Sequence, residues 1–155
     1  MLNIIQKYEN SIKYKYIENC ITKILYNVKK ELPKNLNVYI INKFSQEYST
    51  GIYRENGIYT MDLNLNELFY LYKNNEYLTR GFNKKIPFKK FIAWAIFHEL
   101  GHYKKHWYKK NNMEVEKLYK LRSNIKDLHI QEKEADFLGL ELWHKIYDTQ
   151  LQFNF

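Results

Sequence analysis

The sequence predicts an α+β protein: a small antiparallel sheet packed against helices. Apolar residues recur at steps of three and four near both ends and after position 87, which is helical spacing. Between the first two of those regions lie short runs rich in β-branched and aromatic residues, one of them broken by Asn56-Gly57. The resulting order, helix then strand then hairpin then helices, segregates the two kinds of element and so belongs to the α+β class.

Each element follows from local chemistry. Over residues 3 to 32, Ile4, Ile5, Tyr8, Ile12, Ile17, Ile21, Ile24, Leu25, Val28 and Leu32 form an apolar stripe, read as one long amphipathic helix or two shorter ones. Pro33 ends it, because proline has no N–H to continue the ladder. Leu36 to Phe44 reads as a strand. Residues 50 to 63, TGIYRENGIYTMDL, place two β-type runs around Asn56-Gly57, a pair that supplies the two positive φ angles of a tight hairpin turn. Asn64 or Asn66 can cap a helix over residues 67 to 77, and residues 81 to 86 read as a loop. Pro87 suits a first helical turn, and Phe88, Phe91, Ile92, Ala95 and Ile96 then recur at helical spacing in a helix expected to run through His106. Residues 113 to 128 read as a polar helix or helix plus loop, and 130 to 147 as a last amphipathic helix. No repeat or linker interrupts the chain. It reads as a single domain, 1–155, with a helical segment over 1–33, the sheet over 36–63 and a helical part over 66–147.

Bulk properties narrow the function. A chain of 155 residues, 45% hydrophobic, can bury a core without cross-links. The one cysteine, Cys20, excludes an internal disulfide framework and points to a reducing, cytoplasmic compartment. The first residues, MLNIIQKYENSIKYKY, show no apolar core of a secretory signal, and no stretch is apolar enough to span a bilayer, so no membrane role is expected. The net charge of +8 would attract nucleic acid or acidic proteins. The lysines are nevertheless spread in pairs that solvated helix faces explain equally well, so a nucleic-acid partner is left open.

The chemistry concentrates in FHELGHYKKH. His98-Glu99-Leu100-Gly101-His102 is an HExxH sequence, a zinc-protease pattern. Residues four apart share a helix face, about 6 Å along the axis, so two imidazoles can converge on one tetrahedral cation. Glu99 sits one residue round from His98, placed to reach water at that cation without being a ligand. A catalytic zinc takes three protein ligands and keeps one open position. The candidates for the third are His106, His129, Glu132, Glu134 and Asp136. His106 lies too far up the same helix to share the ion unless the helix breaks. Glu132 and Asp136 share a face, with Ala135 beside them as a small residue permitting close helix approach. Glu132 then serves as ligand, and Asp136 accepts a hydrogen bond from a ligand histidine's other nitrogen. Glu134 points about 200° away from Glu132. Glu132 is the preferred third ligand, with Glu134 and His129 as alternatives.

Three stretches resemble the ImmA/IrrE-like metalloprotease family: the hairpin GIYRENGIYTMDLN, the segment AIFHELGHYKKH with a histidine four residues after the second ligand, and the acidic segment EKEADFLGLEL. The resemblance spans roughly residues 50 to 142. It implies a zincin-like fold, a Zn2+ cofactor on His98, His102 and Glu132, and Glu99 as the catalytic base. It also implies a protein substrate, such as a transcriptional regulator of a phage or mobile element. The chain departs from the family at Phe137-Leu138-Gly139 and Leu142-Trp143-His144-Lys145, and it shows no appended helix-turn-helix domain. Tyr53, Tyr59, His129 and His144 are candidates for stabilising a developing oxyanion, and the hairpin edge for holding an extended peptide by strand addition. The alternative function is a catalytically silent module of the same fold that grips a regulatory protein or DNA. A purely structural zinc domain is disfavoured, because such sites prefer cysteine-rich ligand sets.

Overall fold

A computed structural model of the chain describes residues 2–7, 12–42, 50–76, 78, 85–108, 110, 113–114 and 124–147. The chain divides into two compact units, Met1–Ala93 and Trp94–Phe155.

The first unit holds a four-stranded sheet in the order β1-β2-β4-β3, formed by β1 (Leu2–Lys7), β2 (Leu36–Ile41), β3 (Gly51–Glu55) and β4 (Ile58–Asn64). Two expectations are corrected here. Residues 2 to 7 are a strand, not the start of a helix, and the sheet is mixed, not antiparallel. β1 pairs with β2 in parallel, and β2 with β4 in parallel; only β3 and β4 run antiparallel. LNIIQK is too short for periodicity to separate strand from helix, and pairing with Leu36–Ile41 settles it, with Asn3 Nδ2 donating to Asn37 Oδ1 at 3.0 Å. Once β1 exists, the following helix α1 (Ile12–Asn27) becomes a crossover, and a crossover makes its flanking strands parallel.

The rest of this unit follows the residue pattern closely. In α1, Ile17, Ile21, Ile24 and Leu25 are buried, with Val28 just beyond, the stripe a helix needs to face a core. It ends at Asn27, before Pro33, in a turn where the Glu31 N–H donates to the Val28 carbonyl at 2.7 Å. Leu36, Val38 and Ile40 are buried on alternate positions of β2. The hairpin turns at Asn56 (φ 50°) and Gly57 (φ 79°), the left-handed pair that Asn-Gly supplies. Asn64 caps α2 (Leu65–Lys73) by accepting from the Asn66 N–H at 3.2 Å. Phe69, Tyr72, Phe88 and Phe91 form an aromatic cluster, and the Tyr72 hydroxyl donates to the Ile86 carbonyl at 2.9 Å. The Pro87 carbonyl accepts from Lys90 and Phe91, opening α3 (Phe88–His102).

Helix α3 continues into the second unit, and every residue from Phe91 to Tyr103 is buried. It is therefore buried on every side over this stretch, where the sequence suggested an amphipathic helix. After His102 the chain widens into a π turn, Tyr103–Trp107, closed by the Tyr108 N–H on the Tyr103 carbonyl at 2.8 Å. This is the departure from α geometry that carries His106. The expected polar helix after residue 113 falls largely on residues 115–123, outside the described residues, as do 81–84 of the expected loop and 43–44 of the expected strand. Helix α4 (Ile125–Tyr147) is capped by the Asn124 side chain, which accepts from the Lys126 N–H at 3.0 Å.

Helices α3 and α4 cross on small residues. A Cβ at Gly101 would lie 2.9 Å from the Ala135 Cα and closer still to its carbonyl oxygen; one at Gly139 would lie 3.0 Å from the His98 nitrogen. Backbone thus meets backbone at both points. Further along, Phe97 packs against Trp143 and Tyr147, and burial pushes the Tyr147 hydroxyl up to about 12. Among the described residues no helix is long and apolar enough to cross a membrane.

Candidate metal centre

The close crossing of α3 and α4 brings three side chains to one point. His98 and His102, one turn apart on α3, are both buried and aim their Nε2 atoms at each other, 3.2 Å apart. Glu132, on the facing side of α4, brings Oε2 to 3.2 Å from His98 Nε2 and Oε1 to 3.2 Å from His102 Nε2. Among the described residues, these three form the group of histidine, cysteine and acidic side chains able to hold a metal ion.

The triangle fits zinc. A tetrahedral ion with bonds of about 2.0–2.1 Å needs donor atoms about 3.3–3.4 Å apart; the two Nε2 atoms, 3.2 Å apart, meet that, and each lies 3.2 Å from a different oxygen of Glu132, either of which can complete the set. Two neutral imidazoles and one carboxylate also match zinc in chemical type, and they are the donor set of known catalytic sites that keep a fourth position open.

The surroundings hold the candidate ligands in place. His98 Nδ1 meets Asp136 Oδ1 at 2.8 Å, so the carboxylate accepts the proton of the ring nitrogen that faces away from the ligand triangle. Trp94 packs on the same ring, centroids 5.6 Å apart. Burial opposes a charge on His98, but hydrogen bonds to Asp136 and Glu132 outweigh it and raise its pKa to about 9. Burial likewise opposes the Glu132 charge, and hydrogen bonds from His102 and His98 prevail, holding that carboxyl far below the ordinary range. Both shifts say the same thing: the site is built to concentrate negative charge against two imidazoles.

Glu99 is buried, and its Oε1 lies 4.0 Å from His98 Nε2, beside the triangle and not within it. Of the alternatives for third ligand, Glu134 turns elsewhere and meets His106 Nε2 at 3.1 Å and Lys105 Nζ at 3.4 Å, while His129 is exposed. His106 stays off the triangle; its Nδ1 meets the Nδ1 of His102 at 3.2 Å, on the side away from the Nε2 atoms. Of the oxyanion candidates, Tyr53 and Tyr59 stand on the hairpin, and His129 and His144 are exposed on α4.

Sequence reasoning missed two features. The pairing of His106 with Glu134 was legible only as spacing, since His102 and His106 are four apart. The crossing points Gly101 and Gly139 were hidden because glycine in a helix carries no periodic signal of its own.

Taken together, His98 and His102 of α3 with Glu132 of α4 form the compact ligand set typical of HExxH zinc metallopeptidases, with Glu99 beside it, in a zincin-like α+β fold. No family model, curated protein or solved structure matches the chain significantly, and the functional reading stands on this geometry.

Proposed function

We propose that the protein is a zinc-dependent metallopeptidase of the ImmA/IrrE-like kind. It hydrolyses a peptide bond in a protein substrate, a regulatory protein such as a transcriptional repressor of a phage or mobile element, in the cytoplasm. The observation that carries the reading is a buried carboxylate that is not a ligand, Glu99, 4.0 Å from the metal-facing nitrogen of His98. A purely structural zinc site has no use for such a group.

His98, His102 and Glu132 would hold the ion, which supplies Lewis acidity there, lowering the pKa of water to about 7 and polarising a carbonyl oxygen. Glu99 takes the proton from the attacking water as the new C–O bond forms, then returns it to the nitrogen as the C–N bond breaks. The walls of α3, buried from Phe91 to Tyr103, exclude competing solvent and strengthen each electrostatic contact. Strand β3 is an edge of its sheet, the kind of main-chain ladder that accepts an extended peptide. The substrate class is supported by the HELGH and EKEAD segments and, weakly, by the charge of +8, which favours an acidic or DNA-bound target.

The test is co-expression with the products of neighbouring genes, comparing the native chain with Glu99→Gln. A target band lost only with the native chain, while the variant keeps fold and zinc, supports the peptidase. A variant with undiminished biological effect and no cleavage by either protein would leave the silent binding module as the better account.

A further inference from the structure

We propose that His106 and Glu134 are positioning residues of the metal centre, together fixing the tautomer and ring plane of His102. The inference rests on His98, His102 and Glu132 being ligands and adds a function for two residues outside that set.

The argument starts from the Nδ1–Nδ1 contact of 3.2 Å between His102 and His106. Two ring nitrogens at that distance attract only when one carries a proton and the other a lone pair. His102 turns its Nε2 into the ligand triangle. To offer a lone pair there while neutral, it must keep its proton on Nδ1. His106 Nδ1 must then be the acceptor, which places the His106 proton on Nε2.

An isolated imidazole has no strong reason to choose that tautomer. Glu134 supplies it: its Oε2 lies 3.1 Å from His106 Nε2 and accepts that proton. Lys105 Nζ, 3.4 Å from the other carboxylate oxygen, keeps Glu134 turned toward the pair. The result is a directed chain in which the His102 Nδ1–H donates to His106 Nδ1, and the His106 Nε2–H donates to Glu134. His106 is only 4% exposed, so a wrong tautomer would set two buried N–H groups face to face with no water to relieve them. The π turn at Tyr103–Trp107 carries His106 into this place, and such turns recur at functional sites.

The two ligand histidines are thus backed differently. His98 has a carboxylate directly on its Nδ1 at 2.8 Å, whereas His102 reaches its carboxylate through a second imidazole.

The experiment measures zinc affinity by competition with a chromophoric chelator and reads imidazole tautomers by nitrogen NMR of the protein before and after zinc loading. His106→Leu fills the space but offers no acceptor, and affinity should fall about 10- to 100-fold. His106→Asn places a side-chain oxygen near the position of Nδ1 and should recover most of that loss; a packing role would rank leucine above asparagine. Glu134→Ala, at a half-exposed position, should weaken zinc binding less and, in the metal-free protein, where no ion fixes His102, leave His106 a mixture of tautomers. Native affinity in His106→Leu, no advantage of asparagine over leucine, or a pure Nε2–H His106 in metal-free Glu134→Ala would each overturn the proposal. Should the leucine variant not fold, the Glu134→Ala spectrum decides alone. His98→Ala separates the two levels: full zinc retention there refutes the ligand assignment itself. Loss of zinc there, with native-like binding in the His106 and Glu134 variants, refutes only the positioning role.

Discussion

Replacing Gly101 by alanine tests whether the metal centre depends on backbone contact between α3 and α4. The added Cβ would lie 2.9 Å from the Ala135 Cα and 3.1 Å from its carbonyl carbon, whereas carbon atoms settle about 3.5–4.0 Å apart. The helices must therefore part by roughly 0.6 Å or more at this point. Glu132 lies one turn from Ala135, and a retreat of that size would stretch its 3.2 Å contacts with His98 and His102 to about 3.8 Å, beyond the roughly 3.4 Å a tetrahedral zinc accepts. Two energies compete in the fold itself. Alanine is the better helix former by about 0.8–1 kcal/mol, while overpacking costs about 1–3 kcal/mol. The net is a loss of up to about 2 kcal/mol, or a fall in melting temperature of several degrees at about 2–4 °C per kcal/mol. Zinc affinity should drop by at least about tenfold, as for a displaced support. Thermal melts with and without zinc, plus chelator competition, measure both. Gly51→Ala is the control, because a Cβ there meets nothing within 4 Å. A Gly101→Ala protein that is more stable than the parent and binds zinc as tightly would show that propensity alone acts at this position, and the close-crossing argument would fail.

Other outcomes follow from the same geometry. The native protein should carry about one zinc per chain by metal analysis; at free zinc about a hundredfold above the dissociation constant, the bound ion adds about 2.7 kcal/mol, so chelation should lower the melting temperature clearly. His98→Ala should abolish both the zinc content and that response. Asp136→Ala removes the acceptor 2.8 Å from His98 Nδ1 and should weaken zinc binding about 10- to 100-fold, with Asp136→Asn in between. In the metal-free protein the pKa of His98 is raised to about 9 from the ordinary 6.5. The stabilisation from its charged form is fully present below about pH 6.5 and is lost as pH rises through about 9. Zinc must displace that proton, so its apparent affinity should climb by up to about tenfold per pH unit toward pH 9 and then level off; a flat profile between pH 6.5 and 9 would contradict the assigned partners of His98.

Much of this was readable from residues alone, where the signal is local. Asn56-Gly57 imposes its turn through backbone conformation, and the i, i+4 spacing of His98 and His102 follows from helical pitch. Glu132 and Asp136 stand out because a shared face with Ala135 between them is a packing signature. What stayed hidden depends on partners distant in sequence. Leu2–Lys7 is a strand because Leu36–Ile41 is there to pair with it, and the parallel pairing of Leu36–Ile41 with Tyr59–Asn64 is a second non-local contact that no local pattern announces. The role of His106 depends on a π turn, which no periodicity announces, and on Glu134, which sequence spacing ranked only as a weaker rival for the metal. Gly139 carries no side chain to betray that it lies against the backbone of His98.

The hydrogen bond between His98 and Asp136 spans 38 residues of sequence, and an ion shared by His98 and Glu132 would tie off nearly the same length of chain. Such a clasp exists only in the folded state, and binding of the ion stabilises that state by mass action. Metal loading and docking of the two helices then become one equilibrium, so the peptidase centre and the tertiary structure of this half of the molecule should appear and disappear together.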